Sequence, residues 1–308
     1  MEFKTKDVLV VGSIAIDTIE TPHGRQDSVL GGSAMYFSLS ASMFTSVKVV
    51  GVVGSDYPQQ GWDTLNSRNI NTDNIQVENG DTFRWGGKYN QNYTERDTLF
   101  TDLGVFENFS PQIHTKHLNT PLVFLGNIHP ELQLNVAKQM INTELIVTDT
   151  MNLWIDIDKN KLQQVLDITD ILLINHEEAE QYTGEPNIEK AANLLRASGP
   201  GVVVIKMGSD GAYLSYGAKS YYIPAFKINN VVDPTGAGDS FAGGFLGYLA
   251  SNPSHDYLGA VIAGTATASF CVENFGANAM LGCSFDSLNS RIRSINKQLK
   301  YEKPKTTI

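Results

Sequence analysis

The chain has 308 residues, with 23 Lys and Arg against 33 Asp and Glu, a formal charge of −10 at pH 7. A composition 42% hydrophobic and 18% charged can build a sizeable core and argues against a disordered chain. The acidic balance, with no long basic stretch, argues against a general nucleic-acid binder.

The one basic cluster, Lys297, Lys300, Lys303 and Lys305, reads as a solvated C-terminal end. Two cysteines, Cys271 and Cys283, far from CxxC spacing, form neither a disulfide framework nor a zinc knuckle. The N-terminal apolar run is too short for a signal peptide. The longest uncharged stretch, Tyr257 to Val272, falls short of the ~18 residues of a membrane span. The expectation is a cytoplasmic protein with no membrane partner.

Six short apolar runs predict strands buried on both faces: Asp7–Gly12, Val47–Val53, Leu122–Leu125, Leu145–Thr148, Ile171–Ile174 and Val202–Lys206. Helical patterns lie between and after them. Ile188, Ala191 and Leu195 share one face of Asn187–Ala197, and Leu288, Ile292, Ile295 and Leu299 form a stripe on Phe285–Leu299. This rhythm predicts an α/β fold with a mostly parallel sheet. Two stretches break it. Ile14–Leu30 and Asp81–Leu103 are polar, alternating and without a helical period, and they read as β-hairpin material forming a lid or a surface excursion. The whole chain, 1–308, is expected to form a single domain with that lid inserted.

The most informative segment is Val232–Gly244, VDPTGAGDSFAGG. Pro234 and the glycines exclude a helix before Gly238. Beyond it Phe241, Phe245 and Leu249 recur at i, i+4, i+8, so a helix is predicted to begin near Asp239. A glycine-rich turn feeding a helix N-terminus offers free N–H groups to an anion. Two roles fit Asp239 there. One is a capping Asp worth ~1 kcal/mol; the other is a general base beside a transferring phosphoryl group. There is no GxxxxGK[ST] and no GxGxxG, and Ser240 lacks the final Gly of a GxSxG elbow.

GAGDSFAGGF after DPT resembles the C-terminal signature of the PfkB, or ribokinase-like, carbohydrate kinases. Gly31-Gly32 with its small-residue helix resembles the family's N-terminal signature. So does VGVVGSD at Val50–Asp56 with Gly61 for the next block. Asn175-His176-Glu177-Glu178 resembles the NxxE motif, and Lys206-Met207-Gly208 with Gly211 the nucleotide-side turn. The matches run in family order from about residue 7 to 282.

The resemblance implies a ribokinase-like α/β kinase that moves the ATP γ-phosphate to a hydroxyl of a sugar or sugar-like polyol. Asp239 would be the general base, with Gly236, Ala237 and Gly238 forming the anion hole. Asp17, Gly31, Gly32 and Asn127 would meet the acceptor. Lys206, Gly208, Gly211 and Asn274 would border the nucleotide. Asn175 and Glu178 would serve Mg²⁺, directly or through water, or Asn175 would cap its helix. Asp233 and Thr235 would hold a monovalent cation such as K⁺, or Asp233 would stabilise its turn. A lid-to-lid homodimer is also implied.

The ribose-specific pattern is not kept. Ala15 stands where that pattern has Asn, and Gly31-Gly32-Ser33-Ala34-Met35-Tyr36 lacks both its Lys and its Asn. The alternatives are a nucleoside kinase with the base stacked on Phe83, Trp85 or Tyr36, and a non-catalytic sugar- or nucleotide-binding regulator. Arg84, Lys88 and Arg96 are either solvated or meet a sugar phosphate.

Overall fold

A computed structural model describes residues 5–93, 95–252 and 254–301; Lys303 and Lys305 of the basic tail lie outside it. In chain order the strands are β1 (Val8–Val11), β2 (Ala15–Thr21), β3 (Gly24–Gly31), β4 (Val47–Gly54), β5 (Asn71–Glu78), β6 (Arg84–Tyr89) and β7 (Arg96–Asp102). After them come β8 (Leu122–Leu125), β9 (Leu145–Asp149), β10 (Ile171–Asn175), β11 (Val202–Lys206), β12 (Ala212–Tyr216) and β13 (Lys219–Ile223). Nine form one sheet in the order β13-β12-β11-β10-β9-β8-β1-β4-β5. Pairing is parallel from β11 to β5, and the β11–β12 and β12–β13 pairs are antiparallel, so β12 runs against the other strands.

The apolar runs become central strands because both faces of the sheet are covered. In β1, Val8 and Val10 enter one core cluster and Leu9 and Val11 the opposite one. In β10, Ile171 and Leu173 face the first cluster and Leu172 and Ile174 a third. The first cluster also holds the apolar helices Ser33–Ala41, Ala237–Ser251 and Tyr257–Cys271. No helix among the described residues is long and apolar enough to cross a membrane.

The two polar segments pair into a second sheet, ordered β3-β2-β6-β7. Each is an antiparallel hairpin, and the two join through parallel pairing of β2 with β6. Both hairpins leave and rejoin the chain near the carboxyl ends of the large sheet's strands. The chain runs from β1 outward to β4 and β5, then crosses to β8 on the other side of β1. Such a reversal opens a crevice at the carboxyl edge, where α/β folds bind ligands. The small sheet stands over that crevice.

Candidate active site

Three adjacent strands end in polar side chains at one edge: Asp149 on β9, Asn175 on β10 and Lys206 on β11. Asn175 and Lys206 are direct neighbours across β10 and β11. Lys206 Nζ lies 2.7 Å from Asp149 Oδ2. Above this pair sits the turn that starts the helix Ala237–Ser251. Its N-cap is Gly236, in the left-handed region at φ 74°, so the helix begins two residues before the position expected at Asp239. A Cβ on Gly236 would fall 2.3 Å from the Tyr36 ring, which packs directly beneath. Only glycine meets both demands.

Among the described residues, the N–H groups of Gly236 and Gly238 meet no protein acceptor. The Ala237 N–H donates to Pro234 O at 3.2 Å, so it closes the turn and is not free. Asp239 is half-buried at the crevice. Burial raises its carboxyl to about 7; Asp149 adds to the rise and Lys206 opposes it. Glu178 is raised to about 7 in the same way, by burial first and then Asp149. Lys206 keeps its charge despite burial because Asp149 and Glu178 hold its pKa above the usual value.

Asn175 and Glu178 form a reciprocal cap. Asn175 Oδ1 accepts from the Glu178 N–H at 2.8 Å, and Glu178 Oε2 accepts from the Asn175 N–H at 3.0 Å. The capping alternative for Asn175 is therefore present in the structure. Gly208, at φ 58°, and Gly211, at φ 98°, flank the short turn Gly208–Asp210 after β11. Asn274 is exposed and its Oδ1 accepts from the Phe275 N–H. Asp233 is fully buried. It accepts from the Thr235 N–H at 2.8 Å and the Gly276 N–H at 3.0 Å, while the Cys271 thiol donates to Thr235 O at 3.3 Å.

On the other wall, Asp17 is 3% exposed and, among the described residues, its Oδ1 meets no hydrogen-bond partner. A Cβ on Gly31 would lie 1.9 Å from Asp17 Oδ2, so the glycine makes room for the carboxylate. Burial, then Asp233 and Asp239, push Asp17 up to about 8. Folded protein therefore binds a proton here more tightly than the unfolded chain, and stability falls as pH rises from about 4 to about 8. Asp17→Asn is expected to raise Tm at pH 8 by several degrees, from about 2 kcal/mol or more. The gain should vanish near pH 4. Calorimetry at the two pH values checks this, and an equal gain at both would refute it.

Asp17 and Trp85 are in register across β2 and β6, so their side chains share one face of the small sheet. Trp85, Gly87 and Tyr89 alternate along that face. Tyr89 Oη reaches Thr235 Oγ1 at 3.0 Å, so this face looks onto the crevice. The Arg96 guanidinium lies 5.1 Å from the Trp85 ring centroid. Both hairpin tips grip the same loop. Tyr93 donates to Val231 O at 2.8 Å, and His23 bridges Tyr93 Oη at 2.9 Å and Asn230 Oδ1 at 2.8 Å.

Several other side chains nominated from the sequence are engaged with protein partners. Tyr36 is 1% exposed beneath Gly236 and presents no face to a ligand. Phe83 packs on Phe106, with centroids 5.6 Å apart. Asn127 Oδ1 accepts from Trp154 Nε1 at 2.9 Å. Arg84 pairs with Asp56 at 2.6 Å and Lys88 with Glu20 at 2.7 Å. Asp149 escaped the sequence reading, because the run Leu145–Thr148 stops one residue short of the strand's end. The strand-edge position it shares with Asn175 and Lys206 was the available signal.

Residues 5–282 match the profile of the pfkB family carbohydrate kinases. The chain belongs to this family. It is a phosphotransferase acting on a hydroxyl group, and its fold is ribokinase-like. A cytidine kinase of Thermococcus kodakarensis is 29% identical over 254 residues, spanning 80% of this chain and 90% of the relative. The crystal structure of a Methanocaldococcus jannaschii nucleoside kinase superposes with TM-score 0.77 at 23% identity, covering 94% of this pfkB-family chain and 99% of its own. An Escherichia coli protein described as ribokinase II, solved with ATP and Mg²⁺, superposes with TM-score 0.77 at 17% identity, covering 94% and 99%.

Proposed function

We propose that this pfkB-family protein is an ATP-dependent nucleoside kinase, with Asp239 as general base toward a primary hydroxyl. The observation that carries the acceptor class is the indole of Trp85 set beside Asp17 on the crevice face of the small sheet. A ligand joining a flat base to a hydroxylated ring uses both groups. The indole offers a stacking surface, and the carboxylate accepts hydroxyl hydrogen bonds. A free sugar or polyol, the acceptor put first by the sequence alone, would use only the second. The names of the cytidine kinase and nucleoside kinase relatives support the same choice.

Asp239 takes the acceptor's proton as the hydroxyl oxygen attacks. The Gly236 and Gly238 N–H groups and the Lys206 ammonium face the charge on the phosphoryl oxygens, so stabilisation is electrostatic and pre-positioned. Free donors of this kind fit a phosphate ligand. When bound, ATP supplies the phosphoryl group; its presence with Mg²⁺ in the E. coli neighbour supports that cofactor pair. Gly208, Gly211 and Asn274 would border the nucleotide. Because Asn175 Oδ1 is engaged in the cap, Asn175 and Glu178 would serve Mg²⁺ through the waters that this ion retains. Asp233 acts as the anchor of its turn. Asn127 orients Trp154 and is left out of the acceptor set. Closure of the small sheet as a lid excludes water from the transfer. The exposed outer strands β3 and β7 support self-association through that lid.

The test is coupled ADP detection over cytidine, uridine, adenosine, inosine, ribose and fructose. At least one nucleoside should exceed every sugar about 100-fold in kcat/KM. Trp85→Ala should raise KM for that nucleoside about tenfold, the order of one lost base–aromatic stack. A sugar phosphorylated as well as the best nucleoside would overturn the acceptor class.

A further inference from the structure

We propose that Asp149 is a positioning residue for phosphoryl transfer: it holds the Lys206 ammonium under the Gly236–Gly238 turn and away from Asp239. The proposal rests on the kinase reading above and deepens it. An ammonium has three N–H donors. Asp149 Oδ2 takes one at 2.7 Å, and among the described residues no other acceptor meets Lys206 Nζ. The side chain is only 15% exposed, so the remaining donors sit where water is scarce and an unmet donor is costly. They lie beside the anion turn: a Cβ on Gly238 would be 3.2 Å from Lys206 Nζ, with no other protein group closer. An incoming phosphoryl oxygen is the partner that this geometry lacks.

Asp149 is itself held firmly. Its Oδ1 accepts from the Thr150 N–H at 2.9 Å. The buried Gln133 amide ties the ends of β8 and β9 together, donating to Leu125 O at 3.3 Å, Gly126 O at 2.9 Å and Asp149 O at 3.0 Å. The carboxylate therefore offers a fixed anchor to a flexible four-carbon stem. Three carboxyl groups, Asp149, Glu178 and Asp239, surround the one ammonium. Without Asp149 the cation's nearest outlets are the other two, and pairing with Asp239 would mask the base.

The experiment is steady-state kinetics of the full chain with the best acceptor from the panel. Asp149→Asn and Lys206→Met should each lower kcat about 100-fold, the order of one lost electrostatic donor. KM for the acceptor should stay within about twofold, since neither group meets it. The double variant should be no slower than Lys206→Met alone, because both changes remove the same device. It also guards against misfolding, since replacing both members of a buried pair avoids an unpaired charge.

Near-wild-type turnover of Asp149→Asn would overturn the proposal, as would multiplied losses in the double variant or recovery of Asp149→Asn at raised Mg²⁺. Should Asp149→Asn fail to fold, the double variant decides alone: turnover matching Lys206→Met supports the proposal, and near-wild-type turnover overturns it. Wild-type protein that releases no ADP with any acceptor would sink the kinase reading itself, a result distinct from all of these.

Discussion

Asp239→Asn is expected to lower kcat about 10²- to 10⁴-fold, the range a positioned general base supplies, while ATP still binds. The N-cap of this helix is Gly236 and no side chain caps it, so the capping role is closed to Asp239, which lies in the first turn. Asparagine has the same shape, so the fold and the turn should survive, with Tm unchanged near pH 4 and higher above about pH 7, where the wild type buries a charge. What is lost is basicity. Near-normal turnover of the variant would refute the assignment. The wild-type pH profile supplies a second check. The Asp239 carboxyl is raised to about 7, so below that pH it is increasingly protonated and unable to accept the acceptor's proton. kcat/KM should therefore fall about tenfold per pH unit on the acid side. The contribution of Asp239 should be missing from whatever activity Asp239→Asn retains, leaving only the dependence set by Asp17, which is raised to about 8.

Gly236→Ala should lower kcat about 10²-fold with a comparatively small loss of stability. The methyl group meets two obstacles. The backbone is left-handed at φ 74°, which costs an ordinary residue ~1–2 kcal/mol. The added carbon would also fall 2.3 Å from the Tyr36 ring. Tyr36 belongs to the main core cluster and cannot retreat, so the turn must lift instead. Lifting moves the free N–H groups of Gly236 and Gly238, and displacing one such donor in an oxyanion-type site costs ~10²–10³ in rate. Rate and thermal unfolding measured on the same preparation decide the matter. Unchanged kcat would mean that the turn plays no part in transfer.

The large sheet was legible because its central strands are unbroken apolar runs, as in Leu122–Leu125, whose limits sequence and structure share. Strands β5, β12 and β13 were not foreseen. β5 and β13 are the edge strands, mostly polar in Asn71–Glu78 and mixing lysine, serine and tyrosine in Lys219–Ile223. An edge strand needs no continuous apolar run. β12, AYLSY, is buried, and its tyrosines and serine break the apolar run that marks the other buried strands. At the site, Asp17 was named only through the family resemblance, whereas Gly236, Gly238 and Asp239 could be named because a glycine-rich turn entering a helix leaves a local signature. Partnerships could not. That Tyr36 serves as the floor under Gly236, that Asn127 is engaged with Trp154, and that Asp149 holds Lys206 all depend on contacts between segments far apart in sequence. Spacing along one chain carries no record of such contacts.

Tyr89, Tyr93 and His23 bind the small sheet to the 230–235 loop, which leads straight into Gly236. Any departure of the cover from the crevice must break those hydrogen bonds and release the loop at the same time. On the kinase reading proposed above, the pocket for one substrate would be built partly from the wall of the other. By thermodynamic reciprocity, whatever factor the acceptor adds to nucleotide affinity, the nucleotide must return in equal measure. Sequential filling and futile hydrolysis of the donor then become two readings of a single mechanical linkage.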